Sequence, residues 1–222
     1  MTQQNHEPTL VSPEITLVMG IDGSGKSTFV NNLSQQLGFG VLEPTSSPTA
    51  KAFKAANLET FVDASFIDTR EAIFLDLNRE FDAEIIKTQE QTPRIATTGN
   101  SLVTLVSHAV MRHITDTRHT SMEEIVTSWA ASDSLKPTSI ALVHAPISTI
   151  RNRITQRQQE GDSQEKFWGF NAPYFLDHYQ EALHEVIAVV EAMGSHALAP
   201  CISLNSQFMS PDEMIVAYSK NK

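Results

Sequence analysis

The sequence predicts an α/β fold of three layers, α/β/α, built on a five-stranded parallel sheet within a single domain. Three observations lead there. Short apolar runs alternate about five times with amphipathic segments of helical period, the pattern of strands joined by crossover helices. The strand candidates are nearly continuous in apolar residues, as strands buried on both faces must be. The chain has 222 residues, enough to bury a full core without disulfides or metal.

Each element follows in order. The first strand is Ile15–Met19. A helix from Ser27 to about Leu37 carries Phe29, Val30, Leu33 and Leu37 on one face and stops at Gly38. Phe39–Leu42 reads as the second strand, closed by Glu43-Pro44, and Ser47-Pro48 opens a short helix to about Ala56. A long helix spans about Thr69 to Lys87 with Ile73, Phe74, Leu77, Phe81 and Ile85 inward, and Asp68 with Glu71 offers a cap. The third strand, Arg94–Thr98, turns at Gly99-Asn100 into a helix from Ser101 to His113. Ser121-Met-Glu-Glu124 is a capping box for a helix ending before Pro137. Ser139–His144 is the fourth strand, followed by a helix over about 148–158, a polar loop over 159–169 and a long helix to Met193. Cys201–Leu204 is the fifth strand, and Ser210-Pro211-Asp212 opens the last helix.

Composition narrows the function classes. The lone cysteine, Cys201, has no intramolecular partner, which fits a cytoplasmic protein and argues against a zinc site. Cys201 itself reads as a small buried side chain beside a strand. His108, His113 and His119 match no zinc spacing. Residues 1–13 are polar and read as a flexible N-terminus without a secretion signal. No apolar run is long enough to span a membrane. A net charge of −10 with no lysine-rich run argues against wrapping duplex nucleic acid, although a local basic groove remains compatible with it.

The chemistry is concentrated in Gly20-Ile-Asp-Gly-Ser-Gly-Lys-Ser27, which matches G-x-x-x-x-G-K-[ST] between an apolar strand and a patterned helix, the context this P-loop motif requires. Gly23 and Gly25 let the backbone of Asp22 to Thr28, Ser24 included, curl so that successive N–H groups point at phosphate oxygens. The helix N-terminus adds partial positive charge. Lys26 reaches the β and γ phosphates, and the Ser27 hydroxyl is placed for Mg²⁺. The cofactors are therefore ATP and Mg²⁺, on a P-loop NTPase fold.

The segment Leu17-Val-Met-Gly-Ile-Asp-Gly-Ser-Gly-Lys-Ser-Thr28 resembles the opening of thymidylate kinases and the related deoxynucleoside kinases. Glu43-Pro44 resembles the Glu-Pro these families place beside the acceptor. Asn78-Arg79 falls where thymidylate kinases carry an Asp-Arg whose arginine holds the acceptor nucleotide. Arg153 and Arg157 resemble their lid arginines, and residues 171–183 their helix after the lid. The resemblance implies strand order 2-3-1-4-5, a lid over about 151–169, a homodimer, and transfer of the ATP γ-phosphoryl group to a deoxynucleotide or deoxynucleoside, most simply dTMP.

Departures from the pattern are equally informative. Where the families end strand three with an acidic-Arg pair, this chain has the uncharged Thr97-Thr98-Gly99-Asn100; Leu42 replaces a frequent arginine and His144 a frequent aspartate. Asp22 or Glu43 is then left to supply the missing carboxylate. Glu43, after a strand at the sheet edge where ligands bind, is the candidate general base, or else a solvated loop acid. Arg79 is a candidate acceptor contact, or an exposed helix arginine. Arg153 and Arg157, four apart on one helical face, can reach one phosphate. Thr97, Thr98 and Asn100 suit either a neutral acceptor or the capping of the next helix. Phe167, Trp168 and Phe170 suit either base stacking or packing under the loop. Two alternatives stay open: a different hydroxyl acceptor, such as a modified base in DNA or a small metabolite, and a nucleotide-binding protein without transfer.

Overall fold

Side chains alternate in direction along a strand, so the apolar runs of this chain supply both faces of one sheet. The computed structural model describes residues 13–43, 67–114, 119–160, 175–194 and 199–222. Its strands are β1 (Glu14–Met19), β2 (Gly40–Leu42), β3 (Arg94–Thr97), β4 (Ser139–His144) and β5 (Cys201–Asn205). All pair in parallel in the order β2-β3-β1-β4-β5, the order implied by the resemblance. The described helices are α1 (Lys26–Leu37), α2 (Ile67–Gln89), α3 (Ser101–Ile114), α4 (Met122–Ala131), α5 (Ile147–Gln159), α6 (Phe175–Ala192) and α7 (Pro211–Asn221).

Leu17 and Met19 of β1, with Ile140 and Leu142 of β4, pack into a cluster with Leu102 and Val106 of α3, Trp129 of α4, Ile150 of α5 and Leu183 of α6. The intervening residues Val18, Ala141 and Val143 face the other way, against Phe29 and Leu33 of α1 and Met214 and Tyr218 of α7. Phe81 and Ile85 of α2 close the first face over Ile15 and Ile95. This is the three-layer arrangement that the apolar runs predict.

The capping box expected at Ser121 forms with Glu124 at α4, and the structure shows a second one, Ser210 with Glu213, at the start of α7, where Pro211 occupies the first turn. The cap expected from Asp68 and Glu71 does not. Helix α2 already includes Ile67, and Arg112 of α3 takes both carboxylates, because an ion pair between two packed helices is open to residues inside the first turn. Asn100 caps α3 by accepting from Val103 N at 3.2 Å. Thr104 Oγ1 donates to Asn100 O and accepts from Asn78 Nδ2 at 2.7 Å, tying α2 to the end of β3. The helix expected after Ser47-Pro48, the aromatics at 167–170, most of the loop over 159–169, Asn171 and residues 1–12 lie outside the described residues.

Candidate functional site

In a parallel sheet every strand ends at the same edge, and ligands gather there. That edge collects the residues after β1 (the P-loop), Glu43 after β2, Thr98 after β3 and Ser206 after β5. Neighbouring strands lie about 4.8 Å apart. With β3 standing between β1 and β2, Glu43 is therefore offset from the P-loop strand by roughly 10 Å and Thr98 by roughly half of that.

The loop from Gly20 to Gly25 takes the conformation its glycines permit. Gly25 is the N-cap of α1 with φ 101°, and no acidic residue sits in the first turn of that helix. Gly20 has φ 152°, and a Cβ there would meet Val143 O of β4 at 2.3 Å and Ser24 Oγ at 2.6 Å. Ser24 is fully buried, and its Oγ has no hydrogen-bond partner among the described residues. Such an orphaned group is costly in a core and ordinary at a binding site. Lys26 Nζ donates to Gly20 O at 2.6 Å and lies 3.4 Å from Asp22 Oδ1.

This loop forms one wall of a cavity of about 600 Å³, in which Asp22, Lys26, Ser27 and Thr28 take part. A second wall is α5, presenting Arg153, Gln156 and Arg157, with its C-cap Glu160. A third side is Ser206 and Met209 from the β5–α7 connection with Pro211 and Met214 of α7, an apolar end to the cavity. Ser27 and Thr28 are exposed there. Thus Asp22, Gly23, Gly25, Lys26, Ser27, Thr28, Arg153 and Arg157, all sequence candidates, meet in one place, while Ser24 lies buried behind them.

Arg153 is not extended across the cavity. Its Nη1 donates to Gly23 O at 3.0 Å and to Ser206 Oγ at 3.0 Å, and its Nη2 donates to Ser206 O at 3.1 Å. Ser206 Oγ in turn donates to Ser24 O at 2.5 Å. Behind the loop, burial and then the Asp22 charge push the Tyr179 phenol of α6 up, which keeps it protonated. His144, at the end of β4, is held below its ordinary value by burial and by His184, and is therefore the neutral imidazole at neutral pH.

The other candidates stand apart. Arg79 is exposed on α2, pairs with Asp76 at 2.9 Å, and borders a second cavity of about 210 Å³ that shares no lining residue with the first. Glu43 is exposed at the end of β2. Asn100 is buried and used as a cap, and Thr97 Oγ1 both donates to Gly99 O and accepts from Gly99 N, the helix-starting use. Sequence reasoning missed Ser206, Met209 and Gln156. The one available signal was the polar Asn205-Ser206-Gln207 directly after an apolar strand, which places it at the ligand edge.

The fold is that of known nucleoside and nucleotide kinases. Deoxyadenosine kinase from M. mycoides, with products dCMP and a flexible dCDP bound, aligns with TM-score 0.65 and 13% identity over 93% of this chain and 97% of its own. The same enzyme with bound dCTP aligns with TM-score 0.57, again at 13% identity and with the same coverage of both chains. Thymidylate kinase from Candida albicans aligns with TM-score 0.59 and 15% identity over 95% of this chain and 93% of its own. No protein-family model matches the sequence, and no curated protein matches it.

Proposed function

We propose that this chain is an ATP-dependent phosphotransferase that moves the γ-phosphoryl group to a deoxynucleotide or deoxynucleoside, with dTMP the first acceptor to test. The observation that carries the reading is one cavity in which a complete P-loop, the Lys26 ammonium and the Arg157 helix face each other. The likeness of the whole fold to a deoxyadenosine kinase and a thymidylate kinase supports it.

The chain's own groups have distinct tasks. Loop N–H groups and the α1 N-terminus hold the β-phosphate. Lys26 exchanges Gly20 O and Asp22 for the β and γ oxygens and follows the transferring charge. Arg157 approaches from the α5 wall, where it stabilises charge spread over the γ oxygens. The apolar end at Met209, Pro211 and Met214 receives the base. Among the described residues no three His, Cys, Asp or Glu side chains gather into a metal site. That suits Mg²⁺, which is usually held by one or two protein oxygens together with substrate phosphates and water. Here the exposed Ser27 hydroxyl and the Asp22 carboxylate would hold it, and it would supply neutralisation of the phosphate charge. Glu43, exposed at the end of β2, serves as the acceptor-side base.

A second acceptor class is favoured by one observation. The end of β3 carries no charge, and Thr97 and Asn100 are engaged in internal hydrogen bonds while Thr98 stands at the strand end, so a neutral hydroxyl on a nucleoside suits this edge as well as a phosphate does.

The test is transfer of label from γ-labelled ATP to a panel of deoxynucleotides, deoxynucleosides and modified-base DNA. Lys26→Ala should lower transfer by about 10²–10³-fold, the usual loss for a group that stabilises transition-state charge. Full activity in Lys26→Ala sinks the assignment, and tight Mg·ATP binding without transfer to any acceptor replaces it with a nucleotide-binding role.

A further inference from the structure

Arg153 sits on the cavity wall where an arginine would be expected to reach phosphate, yet its guanidinium is spent on protein oxygens. It spans two segments far apart in sequence, meeting Gly23 O and Ser206 Oγ with Nη1 and Ser206 O with Nη2. Ser206 completes the circuit by donating to Ser24 O. Charge-assisted hydrogen bonds from a planar, forked donor are strong and directional.

We infer that Arg153 and Ser206 form a clamp that positions the P-loop for nucleotide by holding the outer carbonyls of Gly23 and Ser24, so that Arg153 is a positioning residue rather than a phosphate contact. The inference rests on the donor-site reading above and deepens it. A trans peptide places its C=O and N–H on opposite sides of a rigid unit. Holding Ser24 O toward Ser206 turns the Gly25 N–H to the other side, and holding Gly23 O does the same for the Ser24 N–H, which donates to Ile21 O at 3.1 Å and closes the loop's inner turn. The clamp is needed because this stretch contains Gly23 and Gly25, with φ 81° and 101°, residues whose backbone freedom would otherwise scatter the donors. It also couples the loop to the β5–α7 connection, which forms the apolar end of the same cavity.

The experiment is calorimetric titration of the full chain with Mg·ATP and, separately, Mg·ADP, for wild type, Arg153→Ala, Arg153→Lys, Ser206→Ala and Arg157→Ala. A clamp on the β-phosphate cradle predicts that Arg153→Ala loses the same factor for both nucleotides. That factor is about 10- to 100-fold, since displacing a positioning group by about 1 Å costs up to that much. Arg153→Lys is not restored to wild type, because a point charge cannot bridge Gly23 and Ser206. Ser206→Ala, a small change that leaves the packing of the strand intact, gives a smaller loss, again equal for both nucleotides. Arg157→Ala loses ATP affinity more than ADP affinity. A loss in Arg153→Ala confined to ATP would show direct γ-phosphate contact and overturn the clamp, as would full rescue by lysine or unchanged affinity in Ser206→Ala. Wild-type protein that binds neither nucleotide overturns the donor-site reading itself. Wild-type binding with unchanged variants overturns only the clamp.

Discussion

Replacing Gly20 with alanine adds one carbon atom at a place where the structure has no room for it. The new Cβ would lie 2.3 Å from Val143 O, 2.6 Å from Ser24 Oγ and 3.0 Å from Lys26 Cγ. The lysine methylene can yield. Val143 O cannot, because it is backbone of β4, whose residues are held in register by β1 on one side and β5 on the other. The loop must therefore withdraw from the strand by about 0.7 Å to bring 2.3 Å up to the 3.0 Å below which real Cβ contacts are essentially absent. Gly20 also has φ 152°, and a non-glycine residue held in a sparsely populated region costs about 1–3 kcal/mol. Overpacking adds about 1–3 kcal/mol. Together these are a large share of the roughly 5–15 kcal/mol by which a domain is stable.

The withdrawal also has a functional consequence, since Gly20 O is the acceptor for Lys26 Nζ and the buried Ser24 moves with the loop. We expect Gly20→Ala to unfold at lower denaturant with an unchanged slope. Where it remains folded, it should bind Mg·ATP about 10- to 100-fold more weakly, the penalty of displacing a binding group by up to an ångström. Equilibrium denaturation and calorimetry read the two effects independently. A variant with wild-type midpoint and wild-type affinity would refute the claim that this glycine is required by the close approach of β4.

Two further predictions concern groups away from the cavity. Burial tends to raise the pKa of Glu14, but hydrogen bonds and charge from Lys222 and Arg94 outweigh it and hold the carboxyl below its usual value of 4.5. A depressed acid stabilises the fold fully above its unfolded pKa and loses that stabilisation as pH falls through the lower folded value. Melting temperature should therefore drop below about pH 4.5 in wild type and drop less steeply in Glu14→Gln; parallel curves would remove the ion pair from the account. Burial, then Glu191, pushes the Cys201 thiol up to about 12. Because only the thiolate reacts, alkylation at pH 8 should be at least about 10²-fold slower in native than in unfolded protein, and equal rates would contradict the burial.

What was legible in the sequence was what is local or doubly buried. Strand β4 matches its expected span at both ends, Ser139–His144, because a strand covered on both faces reads as an unbroken apolar run. The P-loop and the Ser121 capping box were equally readable, since each is closed by residues within a few positions of one another. What failed was long-range. Arg112 captures Asp68 and Glu71 across two helices. Arg153 meets Gly23 and Ser206, 130 and 53 residues away. A helical arginine pattern carries the charge and the face but not the distant carbonyl that packing brings to it. Arg79 was read from its position in a motif on α2, and the structure puts it beside Asp76, three residues away, at the rim of a separate cavity.

The neutral end of β3 can be understood in the same physical terms. Thr97 is 1% exposed and Asn100 5% exposed, and both are occupied in hydrogen bonds that turn the chain into α3. A carboxylate at either place would be desolvated and would have to break those bonds, so this edge is built to position backbone rather than to carry charge. On the proposed reaction, negative charge near the γ-phosphate must then come from the rim of the P-loop cavity. Glu43 stands roughly 10 Å off at the strand spacing, whereas Asp22 shares the cavity with Lys26 and lies 3.4 Å from its ammonium. When Lys26 turns to the phosphates, Asp22 loses its partner within the same wall and faces the cation side of the nucleotide. The carboxylate absent from strand three is thus most economically supplied from inside the phosphate loop. On the same proposal Glu43 is left for the acceptor side.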